Sequence, residues 1–283
     1  MYELIQVSEN SYYIESPAKI GLVKLGGDEV CLIDSGNDKD AGRKIRKILD
    51  ANGWKLTAIY NTHSNADHIG GNKYLQGQTG CKIYVPGMEC DFTNHTVLEP
   101  SFLYGGYPCK DLRHKFLMAQ GSNAEYLTKD VLPKGFAMID LPGHFLDMVG
   151  FRTPDGVVYL ADCLSGRETL DKYQIGFIYD VGAYIKTLEM VKTLKAKIFI
   201  PAHAAAAEDI SELAQYNIDK VYEIGEKIIE LCKEPLSFEV ILQKLFTEYE
   251  LEMNFEQYVL VGSTVRSYLS VSYTHLTLPT NSL

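Results

Sequence analysis

Four short β-rich runs crowd into the first 33 residues: Leu4–Val7, Tyr12–Glu15, Ile20–Leu25 and Glu29–Ile33. Each is dense in branched or aromatic residues, and Gly26-Gly27-Asp28 closes a hairpin between the last two. A chain that starts this way is committed to a sheet before its first helix can form. The spacing then predicts a helix over Asp38–Ala51, with Ile45, Ile48 and Leu49 on one face, and a further strand over Leu56–Tyr60.

That strand runs into NTHSNADHIGGN, residues Asn61 to Asn72, which carries two histidines and an aspartate within six positions. Beyond it, a helix is expected over Ala66–Gln76 and a strand over Lys82–Val85. Residues 88–130 read as an irregular insertion, longer than ordinary connections and so a candidate lid or binding loop. Strands resume at Phe136–Asp140, Val149–Thr153 and Val157–Leu160. A helix follows over Val181–Leu194, then a short strand over Ile198–Ile200 that Pro201 should stop.

From about Asp209 the pattern turns wholly helical, over 210–232, 236–248 and 254–270. Between Glu208 and Ser270 there are 13 acidic and 5 basic residues, so most of the chain's net charge of −10 lies there. This balance attracts neither nucleic acid nor an anionic membrane. No apolar run reaches the roughly 18 residues needed to span a bilayer. Six scattered cysteines without a CxxC pair, and an N-terminus with no basic-then-apolar leader, read as reduced thiols in a cytoplasm. The segment 271–283 fits neither pattern; it resembles a translated vector tail and is expected to be non-native, which would leave the helical region truncated.

Of the seven histidines, His63 and His68 lie in the quoted stretch, and His144 and His203 each follow an apolar run and a proline-containing turn. Asp162 ends a strand in the same way. Imidazole and carboxylate together suit zinc, iron or manganese. His63, Asp67, His68, His144, Asp162 and His203 are therefore six candidate ligands in strand-end loops, which core packing does not explain.

In these motifs the chain resembles the metallo-β-lactamase-fold hydrolases, the superfamily that includes glyoxalase II and lactonases. Its HxHxDH pattern matches His63, Asp67 and His68, with Asn65 in place of the second histidine. The later motifs match Pro142-Gly143-His144, Asp162 and Pro201-Ala202-His203, and the early DSG matches Asp34-Ser35-Gly36. The resemblance implies an α+β fold, a four-layer αββα sandwich over residues 1–207. A helical appendage, weakly winged-helix-like, would then occupy 208–270, with packing or homodimerisation as its role.

The same resemblance implies one metal on His63, Asn65 and His144 and another on Asp67, His68 and His203, with Asp162 between them. Zinc is expected, one or two ions, with iron or manganese as alternatives. A hydroxide held there would attack a small ester-like, thioester or related substrate, with Asp67 orienting or deprotonating the water. Asp34 is expected to hold a ligand or loop from behind. Tyr104, Tyr107 and Tyr173 are candidate substrate contacts.

Asn65 offers a neutral carbonyl oxygen where the family has an imidazole, so the first metal position is short of one strong donor. His95 and His114, in the insertion, are candidates to replace it. Two other functions share the fold: a ligand-binding or weakly active protein with a degenerate first site, and a mononuclear iron thiol or persulfide dioxygenase. Asn65 counts against the dioxygenase, which resembles the family with that histidine present.

Overall fold

The computed structural model describes residues 2–275. Two compact units divide the chain: one comprises Met1–Leu141, Leu146–Asp162 and Lys195–Asp209, the other Pro142–Phe145, Cys163–Leu194 and Ile210–Leu283.

The first unit holds the sheets. The larger has seven strands, β1 (Leu4–Gln6), β2 (Ser11–Ile14), β3 (Ile20–Gly26), β4 (Glu29–Ile33), β5 (Lys55–Tyr60), β6 (Lys82–Val85) and β7 (Glu125–Tyr126), in chain order. β1 to β4 pair antiparallel through short turns; β4 to β7 pair parallel, because helices or longer segments separate them. The smaller sheet is built from β8 (Ala137–Asp140), β9 (Val149–Arg152), β10 (Val157–Ser165) and β11 (Ile198–His203), in the order β11-β10-β9-β8.

The period-two alternation of the strands decides where the cores lie. Leu22, Val30, Leu32 and Ile59 face one way and pack with Ile45 and Leu49 of α1 (Lys39–Asn52) and with Leu75, a helical residue further along. Val23, Cys31, Ile33, Ala58 and Tyr60 face the other way and meet Val149, Phe151, Tyr159 and Ile200 of the second sheet. Both faces of the large sheet are thus buried. Leu32, fully enclosed at its centre, would cost about 2–5 kcal/mol if cut to alanine.

Two departures from the sequence expectation have clear causes. The helix expected over Ala66–Gln76 is two, α2 (Ala66–Ile69) and α3 (Asn72–Thr79), broken at Gly70-Gly71. There the backbones of Asn37 and Ser35 come so close that a Cβ would sit 2.2–2.3 Å from them. Pro201 does not stop β11, which continues to His203, because β11 is an edge strand and can forgo a ladder bond on one side.

The insertion at 88–130 is also more ordered than its sequence suggests. It contains α4 (Glu89–Asn94), α5 (Leu98–Tyr104) and β7, with short 3-10 turns between. Helices of six and seven residues present too few turns for a periodicity to show.

The second unit is mainly helical: α6 (Arg167–Tyr173), α7 (Val181–Val191), α8 (Ser211–Leu231), α9 (Phe238–Glu248) and α10 (Phe255–His275). Buried Asn217 of α8 clamps the backbone of Ser165, accepting from its N–H and donating to its C=O at 2.9 Å each. Thr264 of α10 accepts from the N–H of Ile178 and donates to the C=O of Gly176. The hydroxyl of Tyr268 donates to the carbonyl of Val221. These bonds explain why the C-terminal helices group with residues 163–194. Helix α10 passes through 271–275, and residues 276–283, most of the segment expected to be a non-native tail, lie outside the described residues. No helix among the described residues is long and apolar enough to cross a membrane.

Candidate metal centre

The site grows from the carboxyl ends of β4 and β5. Their parallel register sets Ile33 beside Tyr60, so the residues that follow, Asp34 and Asn61-Thr62, leave the sheet side by side. Asp34 accepts from the Thr62 N–H and from the Thr62 hydroxyl, 2.8 Å each, and from the Asn61 amide at 3.3 Å. Asn61 also donates to the carbonyl of His68 and accepts from Asn72, which ties the two ends of the loop together. Asp34 itself has φ +65°, a left-handed conformation unusual for a non-glycine residue and one that the surrounding bonds must hold.

This scaffold orients the imidazoles. Nδ1 of His68 lies 2.8 Å from Oδ2 of Asp34 and donates to it, which leaves Nε2 facing Asp162 at 3.1 Å and Asp67 at 3.6 Å. The Thr62 hydroxyl spends its one proton on Asp34 and so accepts from Nδ1 of His63 at 2.9 Å. The rings of His63 and His68 stand 4.1 Å apart. Asp67 and His68 are consecutive residues of the single turn α2, placed beside each other by that helix.

Two further strands complete the group. β10 carries Ala161 at φ +50°, a local distortion just before Asp162. β11 ends at His203, whose Nδ1 donates to the carbonyl of Pro17 at 3.1 Å. Its Nε2 then lies 3.2 Å from both Asp67 and Asp162. One ligand atom from each of Asp67, His68, Asp162 and His203 falls within 4.8 Å of the others.

The electrostatics are those of a cation site written in protons. Burial opposes charge on Asp162, yet His203 and His68 hold its carboxyl well below the usual range. Burial likewise works against Asp67, and the charge of His68 with the bond to His203 keeps it low. Burial depresses His203, but Asp162 and then Asp67 lift it to about 10, and His68 is raised well above its ordinary value by Asp162, Asp67 and Asp34. Imidazolium protons balance buried carboxylates here. A dication would displace them and meet two imidazoles, each with its outer nitrogen already engaged by the protein, and two carboxylates. That donor set fits zinc, with manganese and iron within its range.

Asn65 departs from this arrangement. Its side-chain amide donates at 2.9 Å to Glu99 of α5, and both residues are buried. Burial raises the Glu99 carboxyl well above its ordinary value, against the opposing effect of the Asn65 bond. A second buried acid, Glu89 of α4, accepts from the N–H and hydroxyl of Ser64 and from the N–H of Asp147. Burial pushes its carboxyl up to about 7. Neither acid was expected from the sequence, since both sit on the short helices of the insertion.

The remaining candidates are placed as follows. His144 belongs to the Pro142–Phe145 segment of the helical unit, where its carbonyl accepts from Tyr179 and its ring meets Phe177 edge-on, centroids 5.4 Å apart. Tyr104 ends α5 half-exposed, and Tyr107 is 75% exposed with its hydroxyl accepting from Arg113. Tyr173 ends α6, exposed, its hydroxyl accepting from Lys172. His95 is exposed at the end of α4, and Nδ1 of His114 accepts from the N–H of Phe116.

The chain is 29% identical over 124 residues to a hydroxyacylglutathione hydrolase of Maricaulis maris, covering 42% of this chain and 38% of the relative. It is 23% identical over 217 residues to the beta-lactamase-like protein 2 homolog of Drosophila melanogaster, covering 72% and 64% respectively. The matched stretches thus span less than two fifths of the first of these relatives and under two thirds of the second. Among solved structures, a beta-lactamase domain protein from Burkholderia ambifaria superposes with a TM-score of 0.71 at 15% identity, over 96% of this chain and 88% of that one. A metallo-beta-lactamase family protein from Thermus thermophilus gives 0.70 at 16% identity, over 96% and 93%. The family model for the metallo-beta-lactamase superfamily matches residues 7–203, more than half of the chain, and the chain belongs to that superfamily.

Proposed function

We propose that this protein is a metal-dependent hydrolase of a small thioester or related ester. The observation that carries the reading is the cluster of Asp67, His68, Asp162 and His203 within 4.8 Å, each imidazole braced from behind. The relatives named hydroxyacylglutathione hydrolases support a thioester among the ester-like substrates.

When bound, a divalent metal lowers the pKa of a coordinated water to about 7 and polarises the substrate oxygen. The chain's own residues do the rest. Asp162, a buried carboxylate within 3.2 Å of both His68 and His203, holds the two imidazoles at one point. Asp67, partly exposed and 3.2 Å from His203, would be the carboxylate that orients the attacking water and takes its proton. Asp34 fixes the proton of His68 on Nδ1 and, through Thr62, that of His63. Asp67, His68, Asp162 and His203 would hold the metal. Tyr104, Tyr107 and Tyr173 remain the candidate substrate contacts.

The test uses zinc-reconstituted protein with a hydroxyacyl-glutathione thioester, a simple ester and a β-lactam, released thiol or acid being followed directly. Thioester turnover that disappears in Asp162→Ala and Asp67→Asn supports the reading. Turnover equal in these variants, or oxygen uptake on thiol substrates by iron-loaded protein, would replace it.

A further inference from the structure

Asn61 reaches His68 twice, once at its backbone and once, through Asp34, at its ring. Asn61 is fully enclosed, as is Asn72. The Asn61 side-chain nitrogen donates to Oδ1 of Asp34 at 3.3 Å and to the carbonyl of His68 at 3.2 Å, while its oxygen accepts from the Asn72 amide at 2.7 Å. Turning the Asn61 amide over would set its oxygen against two oxygens and its nitrogen against a nitrogen. Asn72 thereby fixes which end of Asn61 faces Asp34. The carbonyl of His68 also accepts from the N–H of Ser35 at 2.8 Å, and the N–H of His68 donates to the carbonyl of Asn65 at 2.9 Å. The backbone at His68 is therefore held without Asn61, and the ring is the part of His68 that Asn61 can govern.

Asp34 carries that influence. A carboxyl group offers about four acceptor sites, two on each oxygen. Oδ1 takes the Thr62 N–H and the Asn61 amide, and Oδ2 takes the Thr62 hydroxyl and Nδ1 of His68. The donors on Oδ1 set the tilt of the carboxyl plane, and the tilt sets where Oδ2 meets the imidazole. We propose that Asn61, kept in orientation by Asn72, is a positioning residue that aims the His68 ring through Asp34 and so sets how tightly the cluster holds its metal. This rests on the metal reading above. At 3.3 Å the bond from Asn61 to Asp34 is long, so its loss matters less than its reversal. An oxygen in place of the Asn61 nitrogen would push Oδ1 away and turn Oδ2 off the ring.

The experiment compares wild type with Asn61→Asp, Asn61→Leu and Asn72→Ala, each stripped of metal. It reads zinc affinity by chelator competition and, by NMR of protein carrying isotope-labelled histidine, the exchange rate of the Nδ1 proton of His68. The corresponding proton of His203, held by Pro17, is the internal reference, and backbone amide exchange in α2 reports general loosening. Asn61→Asp should weaken zinc binding about tenfold and speed exchange at the His68 ring alone. Asn61→Leu and Asn72→Ala should move both readings the same way by less, which keeps the test decisive if Asn61→Asp folds poorly. Unchanged zinc affinity and ring exchange in all three variants would overturn the proposal. So would faster exchange at His203 and through α2 equal to that at the His68 ring. In either case zinc on wild type leaves the metal reading standing; no zinc on wild type removes both.

Discussion

In the half of the loop that carries Asp67 and His68, joined by His203 from β11, each imidazole is answered by carboxylates, and the outer nitrogen of each ring is already spent on Asp34 or Pro17. In the half that carries His63 and Asn65, one ring is oriented through a threonine hydroxyl and the other position is an amide held by a buried acid. The first arrangement concentrates opposite charges that a dication can take over. The second pairs an imidazole with an uncharged amide. One loop thus carries two halves of different charge, with Oδ2 of Asp34 serving both.

The sharpest way to break this comparison is at Asp34, since both halves lean on it. Asp34→Ala should leave the Thr62 hydroxyl and His68 Nδ1 without their acceptor, costing about 3 kcal/mol or more in a denaturant melt. Zinc affinity should fall by about 10–100-fold at both positions. A loss confined to one equivalent would show that the halves do not share this support.

Glu89 gives a pH signature of the loop's other anchor. Its ordinary value of 4.5 is pushed up to about 7 by burial, so between these values the folded chain keeps a proton that the unfolded chain has lost. Its contribution to stability is complete below pH 4.5 and shrinks as pH rises through 7, by up to about 3 kcal/mol. Melts of zinc-free protein should show this decline, and Glu89→Gln should flatten it. An unchanged slope in the variant would assign the decline to other groups.

Restoring the family's histidine sharpens the contrast from the weak side. Asn65→His places an imidazole against Glu99, which can orient it, and should tighten the second zinc equivalent about tenfold without altering the first. The smallest effect is expected at Tyr107, 75% exposed: Tyr107→Ala should change stability by less than about 0.5 kcal/mol. If the insertion touches substrate, the variant raises KM while leaving zinc content alone.

The strands and the ligand motifs were legible because each is written locally. Alternating burial marks β3 to β5, and His63, Asp67 and His68 sit together in one loop while His203 ends a strand. Glu89 and Glu99 were not legible. They lie 25 and 34 residues from the side chains they bond, on helices too short to carry a period, and their burial comes from tertiary packing alone. The need for glycine at 70 and 71 is similar: only the approach of Asn37 and Ser35 shows why no side chain fits there. β11 outran its proline because edge position is a property of the sheet, invisible in the strand itself.

Metal binding by Asp67, His68, Asp162 and His203 underlies every role proposed for this protein. Chelator-competition titration of zinc into wild type and Asp162→Ala, each first stripped of metal, tests it most directly. The predicted result is one tight equivalent in wild type that weakens at least about 100-fold in the variant, because the carboxylate joining His68 and His203 is gone. Equal zinc affinity in the two proteins would contradict it.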